Sequence, residues 1–266
     1  MIPPQLWNCT NDEYHADTRR IGHSMLHTFR ESPNLYRALY ADCTMEKPGT
    51  TDAMEMGSAL HCLLLEPGEF PVRYKDGIPC ALKTEKARIA KQGEMMDQVR
   101  AMARAAMDHP RASQLLEAPG EIESAYTWED AETGVALKVR FDKWLRESRV
   151  LVDVKTAANP TPGWGYGEFY RSAITYDYPL QAALYSECVE LLTGDVPIFC
   201  WLVVGKEDPH DVWTPAVLPN SEPMMHGQRE LRSTLRRLAR CYDSGVWLAP
   251  GQDSFLEWSD LPKWVS

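Results

Sequence analysis

The sequence predicts an α/β fold, a mixed β-sheet flanked by helices, and three observations carry that expectation. Helical apolar spacing dominates the first 118 residues. Between Ile122 and Lys155 the period changes to short alternating segments rich in β-branched and aromatic residues. A nearly continuous apolar run, Val196 to Val204, then suits a strand buried on both faces. Helices, a strand meander, then helix, strand, strand and helix make a sandwich around one sheet. At 266 residues and 44% hydrophobic content the chain can bury a sizeable core. We read a single domain over 1–266, mainly helical over 1–118 and sheet-containing over 119–266.

Ser24 to Tyr40 has helical spacing (Met25, Leu26, Phe29, Leu35, Tyr36, Leu39) that Pro33 interrupts, so one or two short helices open the fold. A polar loop over 41–52 precedes a helix from Met54 to Leu65, with Met56, Leu60, Leu63 and Leu64 inward, which Glu66-Pro67-Gly68 ends. An alanine-rich charged helix is expected over Thr84 to Met107, stopped by Asp108-His109-Pro110. Ile122 to Trp128, Val135 to Asp142 and Val150 to Lys155 read as a three-strand meander. In its second strand Val135, Leu137, Val139 and Phe141 alternate with Ala136, Lys138, Arg140 and Asp142, which sets Asp142 opposite the apolar face. Pro160 to Gly167 is a loop of glycines and aromatics suited to lie near a site. A helix from Pro179 to Leu192, a strand from Val212 to Leu218 and a closing helix from Glu222 to Tyr242 complete the order.

Composition excludes several classes. No apolar run reaches membrane-spanning length and Met1 to Thr10 lacks the features of a signal peptide, so a cytoplasmic protein with no membrane contact is expected. Seven scattered cysteines form no CxxC knuckle and argue against an iron–sulfur cluster. A net charge of −10 excludes non-specific coating of nucleic acid, so any DNA contact must be local. The balance reverses between Arg73 and Arg100, where Arg73, Lys83, Lys86 and Arg88 are candidates for tracking a phosphate backbone; a solvated face of mixed charge is the other reading. Trp144, Trp201 and Trp213 read as core, whereas Trp164 in the glycine-rich loop is a candidate wedge or base-stacking residue.

The chemistry is concentrated in Asp153-Val154-Lys155 at a strand end, with Asp142 eleven positions upstream at the end of the neighbouring strand. Carboxylates sharing a site repel, and a bound cation resolves the repulsion; hard oxygen ligands favour Mg²⁺, with Mn²⁺ as a substitute. Strand alternation places Asp153 and Lys155 on one face, an arrangement suited to attack on a phosphodiester by a metal-activated water that Lys155 orients or deprotonates, or whose developing charge it stabilises. A lone D-x-K arises roughly once by chance in a chain of this length, and a surface salt bridge is the simpler reading of one. Context adds weight: Gly57-Ser58-Ala59-Leu60-His61 offers small residues for close backbone approach and a histidine to complete a metal shell with Asp142 and Asp153. Gln181 and Tyr185 form an i, i+4 pair whose polar tips can bond phosphate or position a ligand.

These segments together resemble a known family. The ordered set runs from Tyr14-His15 and Ser24-Met25-Leu26 through Met56 to His61, Leu63-Leu64-Leu65-Glu66-Pro67, Lys138 to Asp142, Val152 to Thr156 and Tyr178 to Tyr185. It is similar to the RecE-type (exonuclease VIII-like) exodeoxyribonucleases of the PD-(D/E)XK superfamily, over nearly the whole chain. The resemblance implies His61, Asp142, Asp153 and Lys155 as the catalytic set, the Val154 carbonyl as a further metal ligand, and Gln181 and Tyr185 as the pair of the Gln-x-x-x-Tyr helix. Glu123 fits the family pattern less well and is given only a supporting role. The resemblance further implies a phage or prophage enzyme that digests linear double-stranded DNA 5′→3′ from its ends. It also implies a ring-shaped homo-oligomer, trimer or tetramer, and a single-strand annealing protein of the RecT/Beta kind as partner. A ring would let an acidic chain gather Arg140 and the Arg73–Arg100 bases around a channel. A structure-selective or restriction-type endonuclease on the same core, or a catalytically silent DNA-binding protein, are the competing readings.

Overall fold

The computed structural model describes residues 3–82, 84–158, 160 and 168–248, with Glu168 as backbone alone. Lys83, Trp164, the loop over 161–167 and the tryptophan-containing tail lie outside the described residues.

The sheet grows from the meander. Strands β1 (Gln5–Leu6), β2 (Glu121–Glu129), β3 (Ala136–Leu145) and β4 (Val150–Ala157) run side by side and antiparallel, and β5 (Ile198–Gly205) adds parallel to β4. The short β6 (Val212–Trp213) and β7 (Ala216–Val217) both pair with β5. The sequence suggested one strand over Val212–Leu218. Pro215, without an N–H, splits it, and its carbonyl accepts the Trp201 amide at 2.9 Å.

Helices cover both faces, as the fold class requires. Against one face pack α2 (His23–Glu31), α3 (Pro33–Tyr36), α9 (Tyr178–Thr193) and α10 (Glu222–Ser244), and α8 (Glu168–Thr175) joins them through Phe169. Against the other pack α4 (Asp52–Leu65), α5 (Phe70–Arg73), α6 (Glu85–Asp108) and α7 (Pro110–Glu117). β5 is buried between the layers, with Phe199, Trp201 and Val203 in the first core and Leu202 and Val204 in the second. Its apolar run is thus that of a parallel strand covered on both sides. Among the described residues no helix is long and apolar enough to cross a membrane.

Local chemistry sets the helix ends. Ser32 accepts the Leu35 amide at 3.2 Å and Pro33 takes the first turn of α3, so the proline restarts a helix there. Thr51 caps α4 by accepting the Met54 amide at 3.3 Å. The stop at His109-Pro110 also begins α7, with His109 Nδ1 accepting the Ala112 amide at 3.2 Å. Between α9 and α10 the helices approach so closely that a Cβ at Gly227 would lie 2.0 Å from the Pro179 carbonyl oxygen. Only glycine fits there.

Two features of β3 position the site. First, β3 pairs with β4 only across Lys143–Leu145 and Val150–Val152; beyond that the strands diverge into a fork. Second, inside–outside alternation slips by one: Leu137, Val139 and Phe141 belong to the first core, yet so does Trp144, while Leu145 belongs to the second. Asp142 sits at the slip, so the expectation that it simply faces away from the apolar set is too simple. Opposite it in the β2 register, between Ile122↔Lys143 and Ser124↔Phe141, Glu123 has a left-handed backbone with φ 52°. A non-glycine residue held in that region marks local strain.

Candidate active site

The fork opens into a cleft of about 790 Å³. His61 on α4, Glu123 on β2, Asp142 on β3, Val154 and Lys155 on β4 and Tyr185 on α9 line it. His61 is clamped between two carboxylates: Nδ1 lies 2.9 Å from Glu123 Oε1 and Nε2 lies 2.8 Å from Asp142 Oδ2. Asp142 Oδ2 also accepts the Val154 amide at 2.7 Å, a bond that bridges the fork. Glu123 is held from the far side by Arg140, whose Nε donates to Oε2 at 2.5 Å.

Asp153 is buried and bonded to other partners. Its Oδ1 accepts from Gln181 Nε2 at 2.8 Å, and its Oδ2 pairs with Lys155 Nζ at 2.6 Å. His61 was expected to share a shell with Asp142 and Asp153. Among the described residues His61, Asp142 and Glu123 are instead the three whose ligand atoms lie within 4.8 Å of one another. The left-handed backbone at Glu123 sets that carboxylate against His61, while Asp153 Oδ1 bonds Gln181 on α9. Alternation along β2 gave no signal for this.

The charges follow from these contacts. Burial disfavours the His61 cation, yet the Asp142 and Glu123 carboxylates outweigh it and raise the pKa to about 10. Burial also pushes Asp142 upward, but His61, Lys155 and the Val154 amide hold it below the usual carboxylate range. For Asp153 burial wins and the pKa rises to about 6, with Lys155 opposing and Asp142 adding to the rise. Lys155, despite burial, is held above its ordinary value by Asp153 and Asp142, so it is an ammonium near neutral pH.

The remaining expected residues divide. Gln181 is buried, and Tyr185 packs edge-on against Phe141 (5.6 Å) and Phe199 (6.0 Å) while its ring reaches the cleft. Arg140 lines the cleft, with one guanidinium nitrogen, Nη1, buried and without a hydrogen-bond partner among the described residues. Arg73, paired with Glu66 at 3.2 Å, also reaches it. Lys86 and Arg88 are exposed on the opening turns of α6 and are not among the lining residues. Gly57 was expected to admit another backbone. A Cβ there would meet nothing within 4 Å, because Gly57 and Ser58 line the open cleft. One wall was not read as an element: α1 (Asn11–Ala16), too short to show a period, contributes Asn11 together with Tyr14 and His15, which entered only through the family resemblance. Lys138 staples it down, its Nζ donating to the Tyr14 and Asp17 carbonyls at 2.5 and 2.6 Å. Burial pulls the pKa of Lys138 down to about 8.

A family model described as a PDDEXK-like domain of unknown function (DUF3799) matches residues 22–251. The chain belongs to this family. Its mixed sheet flanked by helices is accordingly a PDDEXK-like fold, that of the PD-(D/E)XK nuclease superfamily. Among solved structures the PDDEXK-like chain is similar to one from Eubacterium rectale named as a putative exonuclease, with a TM-score of 0.68 and 16% identity. That match covers 90% of this chain and 88% of the other, and at this identity it shows the fold alone. A second structure, named SSO0001, is 10% identical over 87% of this chain and 88% of that one; its TM-score of 0.32 carries no argument. No curated protein matches the chain in sequence.

The PDDEXK-like site fits a divalent cation. Two carboxylates and an imidazole converge on one point that lines the open cleft. Glu123, Asp142 and His61 would hold a hard, oxygen-preferring ion such as Mg²⁺ or Mn²⁺.

Proposed function

We propose that this protein is a Mg²⁺-dependent exodeoxyribonuclease that digests linear double-stranded DNA from its ends, 5′→3′, in recombination beside a single-strand annealing protein. The observation that carries the nuclease reading is the fork. Its carboxylate–histidine group and Lys155, which is paired with buried Asp153, line one open cleft, so a cation and an ammonium can address the same phosphodiester. The 5′→3′ exonuclease reading and the annealing partner rest on the resemblance to RecE-type enzymes.

Each side chain has a role that its contacts support. When bound, the cation supplies Lewis-acid polarisation of the phosphodiester and lowers the pKa of a bound water. Lys155, charged near neutral pH, suits donation to the developing negative charge better than proton abstraction. Gln181 fixes Asp153, and through it the direction of Lys155. Arg140 fixes Glu123 and lends the cleft wall a positive charge suited to a phosphate.

The test uses linear duplexes labelled at the 5′ or the 3′ end, beside a covalently closed circle, in Mg²⁺. Loss of the 5′ label ahead of the 3′ label, with the circle intact, supports the proposal. Cutting of the circle replaces it with an endonuclease, and early loss of the 3′ label reverses the polarity.

A further inference from the structure

We infer that Tyr176 is a stacking platform for an unpaired terminal nucleobase, holding a frayed DNA end beside the cleavage site; the inference rests on the nuclease reading above. Tyr176 lies between α8 and α9, is 52% exposed, and lines the same cleft as His61, Asp142 and Lys155. Its ring stacks on Tyr178, with 6.2 Å between centroids and 27° between planes. Tyr178 stacks on the core residue Trp201 at 6.0 Å and 26°. A column of rings therefore runs from the sheet to the cleft, and Tyr176 is its exposed end. The Lys155 ammonium sits 5.3 Å from the centre of the Tyr178 ring, which ties the column to the Asp153–Lys155 pair.

The chain beside Tyr176 is fixed to an unusual degree for an exposed turn. Asp177 has a left-handed backbone, φ 51° and ψ 45°. Three side chains of α2 hold it there. Arg30 Nε and His27 Nδ1 lie 2.9 and 3.2 Å from Asp177 Oδ2, and His23 Nε2 lies 3.1 Å from its carbonyl oxygen. His27 also meets the Tyr176 ring edge-on at 6.2 Å. Strain sustained by this many contacts beside a half-exposed aromatic is a sign of pre-organisation. A tyrosine face accepts any base, since every base has a π-face, but only a base with a free face: bases inside a duplex are covered by their neighbours. The ligand is therefore a nucleotide at a frayed or single-stranded end.

The experiment places 2-aminopurine at the terminal position of a duplex with a short overhang and follows its fluorescence on binding the whole protein in EDTA. Wild type, Lys155→Ala and Tyr176→Phe are expected to quench it, and Tyr176→Ala and Tyr176→Leu to lose the quench. In Mg²⁺ the last two should raise KM for such ends about tenfold, the effect of one lost stack, with kcat little changed. Equal quenching by wild type and both non-aromatic variants overturns the platform, as does no quenching by wild type. A Tyr176-dependent quench by a wild type that cleaves nothing supports the platform and defeats the nuclease reading; cleavage with a Tyr176-independent quench defeats the platform alone.

Discussion

His61 and Asp142 meet at a single oxygen: Asp142 Oδ2 lies 2.8 Å from His61 Nε2 while also accepting the Val154 amide. With Glu123 on its other nitrogen, the imidazole without metal is a cation between two carboxylates, occupying the charge position that a divalent ion would take.

Metal binding at this site must therefore expel a proton. Ligation needs a neutral imidazole, and a pKa of about 10 keeps His61 protonated at neutral pH. The affinity for Mn²⁺ is expected to rise about tenfold per pH unit between about pH 7 and 9, one proton per ion, as checked by titration calorimetry in buffers of different ionisation enthalpy. His61→Gln should bind more weakly and release no proton from this position.

The same shift sets a stability profile for the metal-free protein. A histidine whose folded pKa lies above its unfolded value of about 6.5 contributes fully below that value and loses the contribution as pH rises through the folded pKa, here about 10. His61→Gln should thus lower the melting temperature most near pH 6 and progressively less toward pH 10. Thermal denaturation in EDTA across that range gives the difference curve, and a deficit that grows with pH would contradict the assignment.

Gln181 is expected to act on rate through Asp153. Gln181→Leu removes the donor to a buried carboxylate oxygen, and loss of such an orienting partner lowers activity or metal affinity about 10- to 100-fold. Gln181→Glu should be worse, because it sets a second carboxylate against Asp153. Steady-state kinetics beside far-UV circular dichroism separates this from loss of fold.

Gly227→Ala should act on stability alone. Its methyl would fall 2.0 Å from the Pro179 carbonyl, so α10 must shift from α9, destabilising by about 1–3 kcal/mol as overpacking does. The urea midpoint should drop while the specific activity of the folded fraction stays constant.

Much of this architecture is legible in the sequence, and the illegible parts share a cause. The meander, the apolar run of β5 and the long helices repeat a period over enough residues to show it. The segments α1 and β1 are too short for that, yet α1 walls the cleft because buried Lys138 reaches two of the carbonyls around it. The place of Glu123 beside His61 was not legible because it depends on a left-handed backbone and a slip in β3, neither of which a glutamate announces. In the basic stretch only spatial placement separates Arg73, at the cleft, from Lys86 and Arg88, which are not among its lining residues. The D-x-K triplet was readable as a unit; that Glu123 would join His61 and Asp142 while Gln181 bonds Asp153 was not.

The most direct test of a metal-dependent nuclease at this fork is release of acid-soluble nucleotide from linear duplex DNA by wild type in Mg²⁺ and in EDTA, beside Lys155→Ala. The account predicts release only by wild type with Mg²⁺, and a loss of about 10²-fold or more in the variant while it still binds DNA. Release that survives EDTA, or a Lys155→Ala variant as active as wild type, would contradict it.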